Sequence, residues 1–398
     1  MSTQYPVDHC AGAGFVGRER ELAELRAGLE GACAGRGRLF LVAGEAGIGK
    51  TRLVEELAAE AARRGGKVLW GRCWEGEGAP PYWPWVQIIR SLLKNPDPEV
   101  LTAQMSPGAA YLAQLVPEIR ERFLHIPAPP TSPDSEHARF YLFDAAASFL
   151  KNASTTTPLI LIFDDLQWAD APSLLLLRFL ARAIFDARIL LVGTYREAEA
   201  LQTPVVAEML GALVRNGHHV PLRGLSEEEA QLFIEQIARG TASSAFVRTV
   251  YQKTEGNPFF VDEVVRVLAA EGALERTDRV TPSDFPLPQG VREAVRRRLA
   301  PLPKTCIEIL TVASVVGREF DLASLQQARN LQPKELLQVL SAALASGVIV
   351  PNPGAAGRYR FSHVLIRETL YEGLAHADRL TLHRRIGQVL EEMYQANP

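Results

Sequence analysis

The sequence predicts an α/β domain built on a parallel sheet, followed by a helical segment and a small domain of helices and a ribbon. Three observations carry this prediction. Short apolar runs bounded by turn residues alternate with amphipathic helical patterns through the first half of the chain. A glycine-rich run, Gly44-Glu45-Ala46-Gly47-Ile48-Gly49-Lys50-Thr51, stands between the first apolar run and the helical pattern after it. Beyond Gly224 the strand pattern fades, helices dominate, and two short apolar runs finally bracket a Pro/Gly turn at 351–357.

Taken in order, a helix is expected over 19–29, where Leu22, Leu25 and Leu29 recur at helical spacing and the glycine-rich 31–37 ends it. Strands are expected at 39–43, 68–71, 159–163 and 189–193, with a weaker one near 219–222. Helical patterns at 52–63 and 173–185 lie between them, as in a parallel sheet covered by helices. Between the second and third strands, 72–153 is an insertion or elaborated crossover with a proline-rich 127–133 and a helix near 136–150. Trp70, Trp74, Trp83 and Trp85 cluster at its start, and rings this dense either pack the insertion onto the sheet or form a ligand or partner surface.

From 224 to 280 the reading is helical. Ser226 and Glu229 form a capping box, and Asn257-Pro258 opens a further helix with Asn as N-cap and Pro at the first position, where its missing N–H costs nothing. The proline-bearing 281–290 reads as a linker. Helices over 291–299, 304–316, 322–328 and 333–346, then a two-stranded ribbon at 348–350 and 359–361, describe a winged helix across 291–375. The helices 363–374 and 378–394 close the chain, and 376–398 reads as the start of a helical extension in a longer parent protein. Residues 1–13 are expected to be a flexible N-terminus, which leaves 14–223 for the α/β domain.

Composition bounds the function. At 398 residues, against about 150 per domain, the chain has more than one domain. A hydrophobic share of 47% and a charged share of 22% are those of folded globular protein. The longest apolar runs fall far short of the roughly 20 residues that cross a bilayer. Residues 1–13 lack a basic stretch followed by an apolar one, so a cytoplasmic location is expected. Cys10, Cys33, Cys73 and Cys306 show no C-x-x-C spacing and read as reduced thiols. With 43 Lys plus Arg against 46 Asp plus Glu, the net charge of -3 supplies no global attraction to nucleic acid or anionic lipid.

The run Gly44 to Thr51 matches G-x-x-x-x-G-K-[ST] between a strand and a helix, the setting in which a P-loop binds ATP or ADP. Its glycines turn backbone N–H groups toward phosphates, and the following helix N-terminus adds positive potential. Lys50 is expected to reach the β- and γ-phosphates and Thr51 to offer its hydroxyl to Mg²⁺. The third strand runs Leu159-Ile160-Leu161-Ile162-Phe163 into Asp164-Asp165. Asp164 is assigned to the metal, and Asp165 to polarising the attacking water as base or orienting acceptor. Because Asp is one methylene shorter than Glu, slow turnover is expected. Arg196, after Val192-Gly193-Thr194-Tyr195, ends the fourth strand where ligands of open α/β sheets bind; it reads either as a γ-phosphate sensor or as a surface arginine. The pair His218-His219 has no partners at metal spacing and reads as a polar strand edge.

Together these residues resemble the STAND class of P-loop NTPases, signal-transduction relatives of AAA+ and NB-ARC modules, and more narrowly the ATPase region of large bacterial LuxR-type regulators. The resemblance runs from about Phe15 to Leu390. It rests on Phe15-Val16-Gly17-Arg18-Glu19, the Gly44 to Thr51 loop, Asp164-Asp165-Leu166-Gln167-Trp168-Ala169-Asp170, Gly193-Thr194-Tyr195-Arg196, Gly256-Asn257-Pro258, and Phe361-Ser362-His363 leading into Ile366-Arg367-Glu368. It implies a P-loop NTPase sheet in the order 5-1-4-3-2, with 224–280 as a helical lid before the winged helix. The backbone of Val16, Gly17 and Arg18 would hold adenine, and Pro258 would pack near the base. Arg52 would extend the phosphate-binding run, Arg196 would sense the γ-phosphate, and His363 would contact the β-phosphate of ADP. Such proteins act as slow regulatory ATPases in signalling or transcription: ADP holds a closed form, while ATP and an inducer favour an open form that self-associates. The family usually continues into a helical-repeat sensor and often a DNA-binding domain. Neither is present in this sequence, which leaves open what the switch controls.

Two other classes stand beside this one. A conventional P-loop kinase would need an acceptor-substrate site, for which no candidate residues are visible. An Orc-like, DNA-binding AAA+ ATPase would grip phosphates through the winged helix, using Arg292, Arg296, Arg297 and Arg298; the same cluster also reads as a solvated helix face.

Overall fold

The structure is a computed structural model, and it describes residues 14–76, 78–94, 101, 104–105, 108–122, 136–270, 289–329, 331–352 and 357–395. The expected flexible terminus 1–13, the proline-rich 127–133 and most of the expected linker 281–290 lie outside the described residues. The chain forms two compact units, one of residues 18–223 and one that joins 224–398 to the N-terminal 1–17.

The first unit carries a five-stranded parallel sheet in the order β2-β3-β4-β1-β5, the expected 5-1-4-3-2. Its strands are β1 (Arg38–Ala43), β2 (Lys67–Arg72), β3 (Leu159–Asp164), β4 (Ile189–Tyr195) and β5 (His218–Pro221). The inner strands β3 and β4 are buried along their whole length, which is why they read as unbroken aliphatic runs with no polar alternation. Gly193 is required where β4 passes its neighbours, since a Cβ there would lie 2.4 Å from the Leu166 side chain and 2.9 Å from that of Leu41. The helices of this unit are α1 (Glu19–Cys33), α2 (Lys50–Arg63), α3 (Trp83–Leu92), α4 (Ala109–Leu115), α5 (Glu118–Arg122), α6 (Glu136–Ser154), α7 (Ala171–Ala183), α8 (Glu197–Ala200) and α9 (Pro204–Asn216).

Of the four clustered tryptophans, Trp85 alone is fully buried. Its ring tilts against Phe163 at 4.6 Å, and its indole N–H donates to the Ser173 carbonyl at 3.1 Å. Burial of a ring this size contributes about 3 kcal/mol, so this residue pins the insertion to the sheet. Trp70 and Trp83 instead stack under Arg72 and Arg90, and Trp74 is exposed.

In the second unit, α10 (Glu227–Ala238), α11 (Ser244–Thr254) and α12 (Pro258–Ala270) enclose a core that includes Phe233, Phe246, Val250 and Val265. The Ser226/Glu229 capping box opens α10, and Pro258 is the first residue of α12. Residues 14–17, expected with the α/β domain, belong to this second unit. Val16 packs on its core, and Gly17 lies so close to Glu229 that a Cβ would meet its carboxylate.

A second core of the same unit gathers α13 (Gln289–Leu299), α14 (Lys304–Val316), α15 (Leu322–Arg329), α16 (Pro333–Ala345), α17 (Val364–Glu372) and α18 (His376–Gln395) around Leu310, Phe361 and Leu365. The expected two-stranded ribbon is a three-stranded antiparallel sheet, because β6 (Glu319–Asp321) pairs with the far side of β8 (Arg358–Phe361), opposite β7 (Ile349–Pro351). Three residues reading Glu-Phe-Asp carry no strand period, so only the pairing reveals them.

Candidate functional site

The P-loop closes between β1 and α2. Gly47 and Gly49 take φ of 76° and 97°, conformations open to glycine, and α2 begins directly at Lys50. Lys50 is 6% exposed, and its ammonium donates to the carbonyls of Gly44 at 3.0 Å and Glu45 at 2.7 Å. Burial, and next the nearby Arg196 charge, lower its pKa to about 8. At neutral pH it stays a cation, held in poor solvation and ready to gain from an anionic ligand.

Thr51, on the first turn of α2, donates to Asp164 at 3.2 Å from the end of β3. Asp164 Oδ1 also accepts from the Thr194 hydroxyl at 2.5 Å. Burial pushes the Asp164 carboxyl above its usual range, and the Thr194 and Thr51 hydroxyls draw it back. Thr194 has a second task, since its oxygen accepts the Asp165 N–H at 2.9 Å. Sheet register explains the meeting: Phe163 pairs with Gly193, so the next residues, Asp164 and Thr194, fall side by side.

Asp165 turns out of the strand into the left-handed region, with φ 61°. Gln167 donates to its Oδ1 at 2.7 Å and accepts the Arg196 N–H at 3.0 Å. The Arg196 guanidinium lies 3.7 Å from Asp165 and 3.6 Å from Glu199. Among the described residues Asp165 Oδ2 has no hydrogen-bond partner, and the side chain is 36% exposed, so a water can reach it. Asp170 caps α7, accepting from the Ser173 N–H at 2.9 Å and hydroxyl at 2.6 Å.

Arg18 belongs to this unit too. It caps α1 at φ 68°, is 7% exposed, and its guanidinium donates to the carbonyls of Ile48 in the P-loop and Arg223. Arg52 is half exposed and paired on its own helix with Glu56 at 2.7 Å and Glu55 at 3.6 Å.

The remaining candidates, Val16, Gly17, Pro258 and His363, lie in the second unit. There His363 is 3% exposed and fully engaged: Nδ1 accepts the Leu365 N–H at 3.1 Å as the N-cap of α17, and Nε2 faces the Thr254 carbonyl at 3.0 Å. An acceptor at Nδ1 and a carbonyl at Nε2 fix the tautomer with its proton on Nε2. Phe260 of α12 packs on the ring at 4.8 Å. On either side of Thr254, Lys253 pairs with Glu368 at 3.6 Å and Glu255 with Arg318 at 2.7 Å, so three consecutive residues at the end of α11 hold the later helices and sheet.

Thr194 and Gln167 stood inside recognised motifs but had no role in the sequence reading. Strand register could have found Thr194. Nothing in the sequence sets Gln167 apart from an ordinary turn residue.

A P-loop between β1 and its helix, with two consecutive carboxylates at the end of β3 one strand further along the sheet, defines a P-loop nucleotide-triphosphatase domain. Residues 14–192 match the family model described as AAA ATPase domain, consistent with a P-loop ATPase of the AAA+ type. An uncharacterized protein of Rhizobium meliloti is 26% identical over 94% of this chain, and the chain spans 37% of that relative's length. Two solved structures share the fold: the Walker-type ATPase of Pyrococcus abyssi (TM-score 0.51, 15% identity, covering 89% of this chain and 96% of that one) and the ORC2 protein of Aeropyrum pernix (TM-score 0.51, 15% identity, 96% of each chain). Among the described residues no helix is long and apolar enough to cross a membrane.

Proposed function

We propose that this chain is a cytoplasmic regulatory switch ATPase of the STAND type, turning over ATP slowly and passing between closed and open forms that differ in self-association. The observation that carries the reading is the arrangement around Lys50: a buried cation on the P-loop, Asp164 held by Thr51 and Thr194, and Arg196 tied through Gln167 to Asp165. In this reading Lys50 and the loop N–H groups hold the phosphates, and Asp165 orients water through Oδ2. Arg196 and Glu199 register whether a γ-phosphate is there. That the Aeropyrum pernix structure was solved as ADPNP–ADP complexes supports nucleotide as the ligand.

The donor set fits magnesium. Thr51 and Asp164 offer hard oxygens 3.2 Å apart. Magnesium bound there would keep waters and phosphate oxygens as its other ligands. When bound, the ion would neutralise phosphate charge.

We assign 224–280 as the lid and 291–375 as the winged helix, with Val16, Gly17 and Pro258 serving the base. For His363 to reach a β-phosphate, Nε2 must leave the Thr254 carbonyl, so the closed form carries the cost of that exchange. A signalling or transcriptional output, an inducer and a partner protein belong to the same reading. A DNA-binding alternative draws on Arg296 and Arg297, which are exposed on α13, whereas Arg292 pairs with Glu372 and Arg298 donates to the Gly347 carbonyl. Salt-dependent binding to duplex DNA would favour that alternative.

The test is to purify the protein, denature it, and identify any released nucleotide by chromatography, with Lys50→Ala beside it. Retained ADP, absent from the variant, is the expected result; an empty site with rapid multiple turnover of added ATP would sink the switch.

A further inference from the structure

Away from the P-loop, α6 and α7 of the first unit enclose a groove of about 320 Å³. Phe143, Leu175 and Phe179 line it, and Phe140 forms one lip while 57% exposed. Phe179 meets both Phe140 (5.8 Å, edge-to-face) and Phe143 (5.7 Å). Tyr141, beside the lip and 47% exposed, stacks on Tyr111, and Phe185, three residues past Arg182, is 73% exposed. A soluble surface seldom leaves so much aromatic area together unless it is used.

The rim is cationic. Arg139 comes from α6, and Arg178 and Arg182 stand one turn apart on α7. Among the described residues neither Arg178 nor Arg182 has an acidic partner, so both guanidinium groups stand available to a ligand's carboxylates. Because the whole chain carries a charge of -3, this patch is local and not part of a general basic field.

We propose that this groove docks an acidic peptide segment of a partner polypeptide, which seats one large apolar side chain among Phe140, Phe143 and Phe179 and sets carboxylates on Arg178 and Arg182. Guanidinium groups grip carboxylates as paired donors, and aromatic residues with arginine are the types enriched where proteins meet. The two arginines are separated by about 6 Å of helix rise, which matches carboxylates four apart on a helix or two apart on an extended strand. Single-stranded nucleic acid fits less well, because it stacks bases on presented ring faces. Here Phe140 is instead set edge-to-face against both Phe179 and Tyr141.

The probe is a fluorescein-labelled synthetic peptide of about twelve residues, one tryptophan flanked by glutamates, titrated with the full chain by fluorescence anisotropy. Saturable binding is expected, weakened about tenfold or more in the Arg178→Glu/Arg182→Glu double variant and severalfold in Phe140→Ala, with ADP binding unchanged in both. No saturation, or equal binding by the double variant, overturns the proposal. So does stronger binding of an oligothymidylate of the same length that the double variant loses. If the double variant instead loses self-association while the peptide fails to bind, the occupant is a second copy of this chain and the peptide assignment falls.

Discussion

Two buried polar sites, one in each unit, show opposite uses of hydrogen-bonding capacity. At the P-loop end of the sheet, Lys50 gives two bonds to its own loop, and Asp165 Oδ2 has no partner among the described residues. At the end of α11, both nitrogens of His363 are occupied by backbone groups of its own unit. The first arrangement is set to receive a ligand. The second is closed, and any ligand must displace a protein partner before it can bind there. A residue inside a familiar motif is therefore poised or committed according to its neighbours, which the motif does not record.

The largest expected effect falls on the open side. Lys50→Ala removes a buried cation from the phosphate site, and ADP affinity should drop roughly 100-fold, the loss of about 3 kcal/mol of charged hydrogen bonding. Titration with a fluorescent ADP analogue reads this directly; retained affinity would mean the loop N–H groups suffice without the lysine.

Next comes Thr194→Val. It keeps the side-chain shape, deprives Asp164 of its shortest bond and leaves the Asp165 N–H without an acceptor, at a cost of about 1–3 kcal/mol for each unsatisfied group. Turnover should fall about tenfold while ADP binding changes less. An unaltered steady-state ATPase rate would remove Thr194 from the machinery.

His363→Ala should act on the closed side alone. Losing the α17 cap and the bond to Thr254 should destabilise the second unit by about 1–2 kcal/mol in the absence of nucleotide. Urea denaturation, without and then with saturating ADP, separates the two roles. A larger loss with ADP would show that the imidazole also serves the nucleotide; an equal loss would confine it to the clasp.

The smallest effect is one of pH. Because burial lowers the Lys50 pKa to about 8, the free protein loses this proton as pH rises through 8, and ADP affinity should decline above that point while Lys50→Arg stays flat. The same group makes a contribution to stability that rises between about pH 8 and 10.5, since the unfolded chain then binds more protons than the folded one. Affinity that is level from pH 7 to 9.5 would contradict the desolvated lysine.

Much of the first unit was legible in the residues. Strands β3 and β4 began where expected, at 159 and 189, because inner parallel strands are bare aliphatic runs; each also ran on into the polar residue or residues that carry the chemistry. The P-loop was legible because its function resides in backbone shape, and glycine spacing encodes backbone shape. What escaped notice depends on neighbours distant in sequence. Thr194 needs the register of β3 against β4, Gln167 needs Asp165 and Arg196 at once, and β6 exists only because Arg358–Phe361 accepts a strand on each side. The paired engagement of His363 likewise joins residues 109 positions apart.

One backbone angle has a consequence for redesign. Asp165 sits at φ 61°, a region that Asp and Asn enter more readily than longer side chains do. The turn thus favours the shorter acid, although Glu255 takes a similar angle elsewhere in the chain. An attempt to speed hydrolysis by exchanging it for Glu would set side-chain reach against main-chain geometry. Asn would keep the turn while removing the charge, making Asp165→Asn the cleaner way to ask what the carboxylate does.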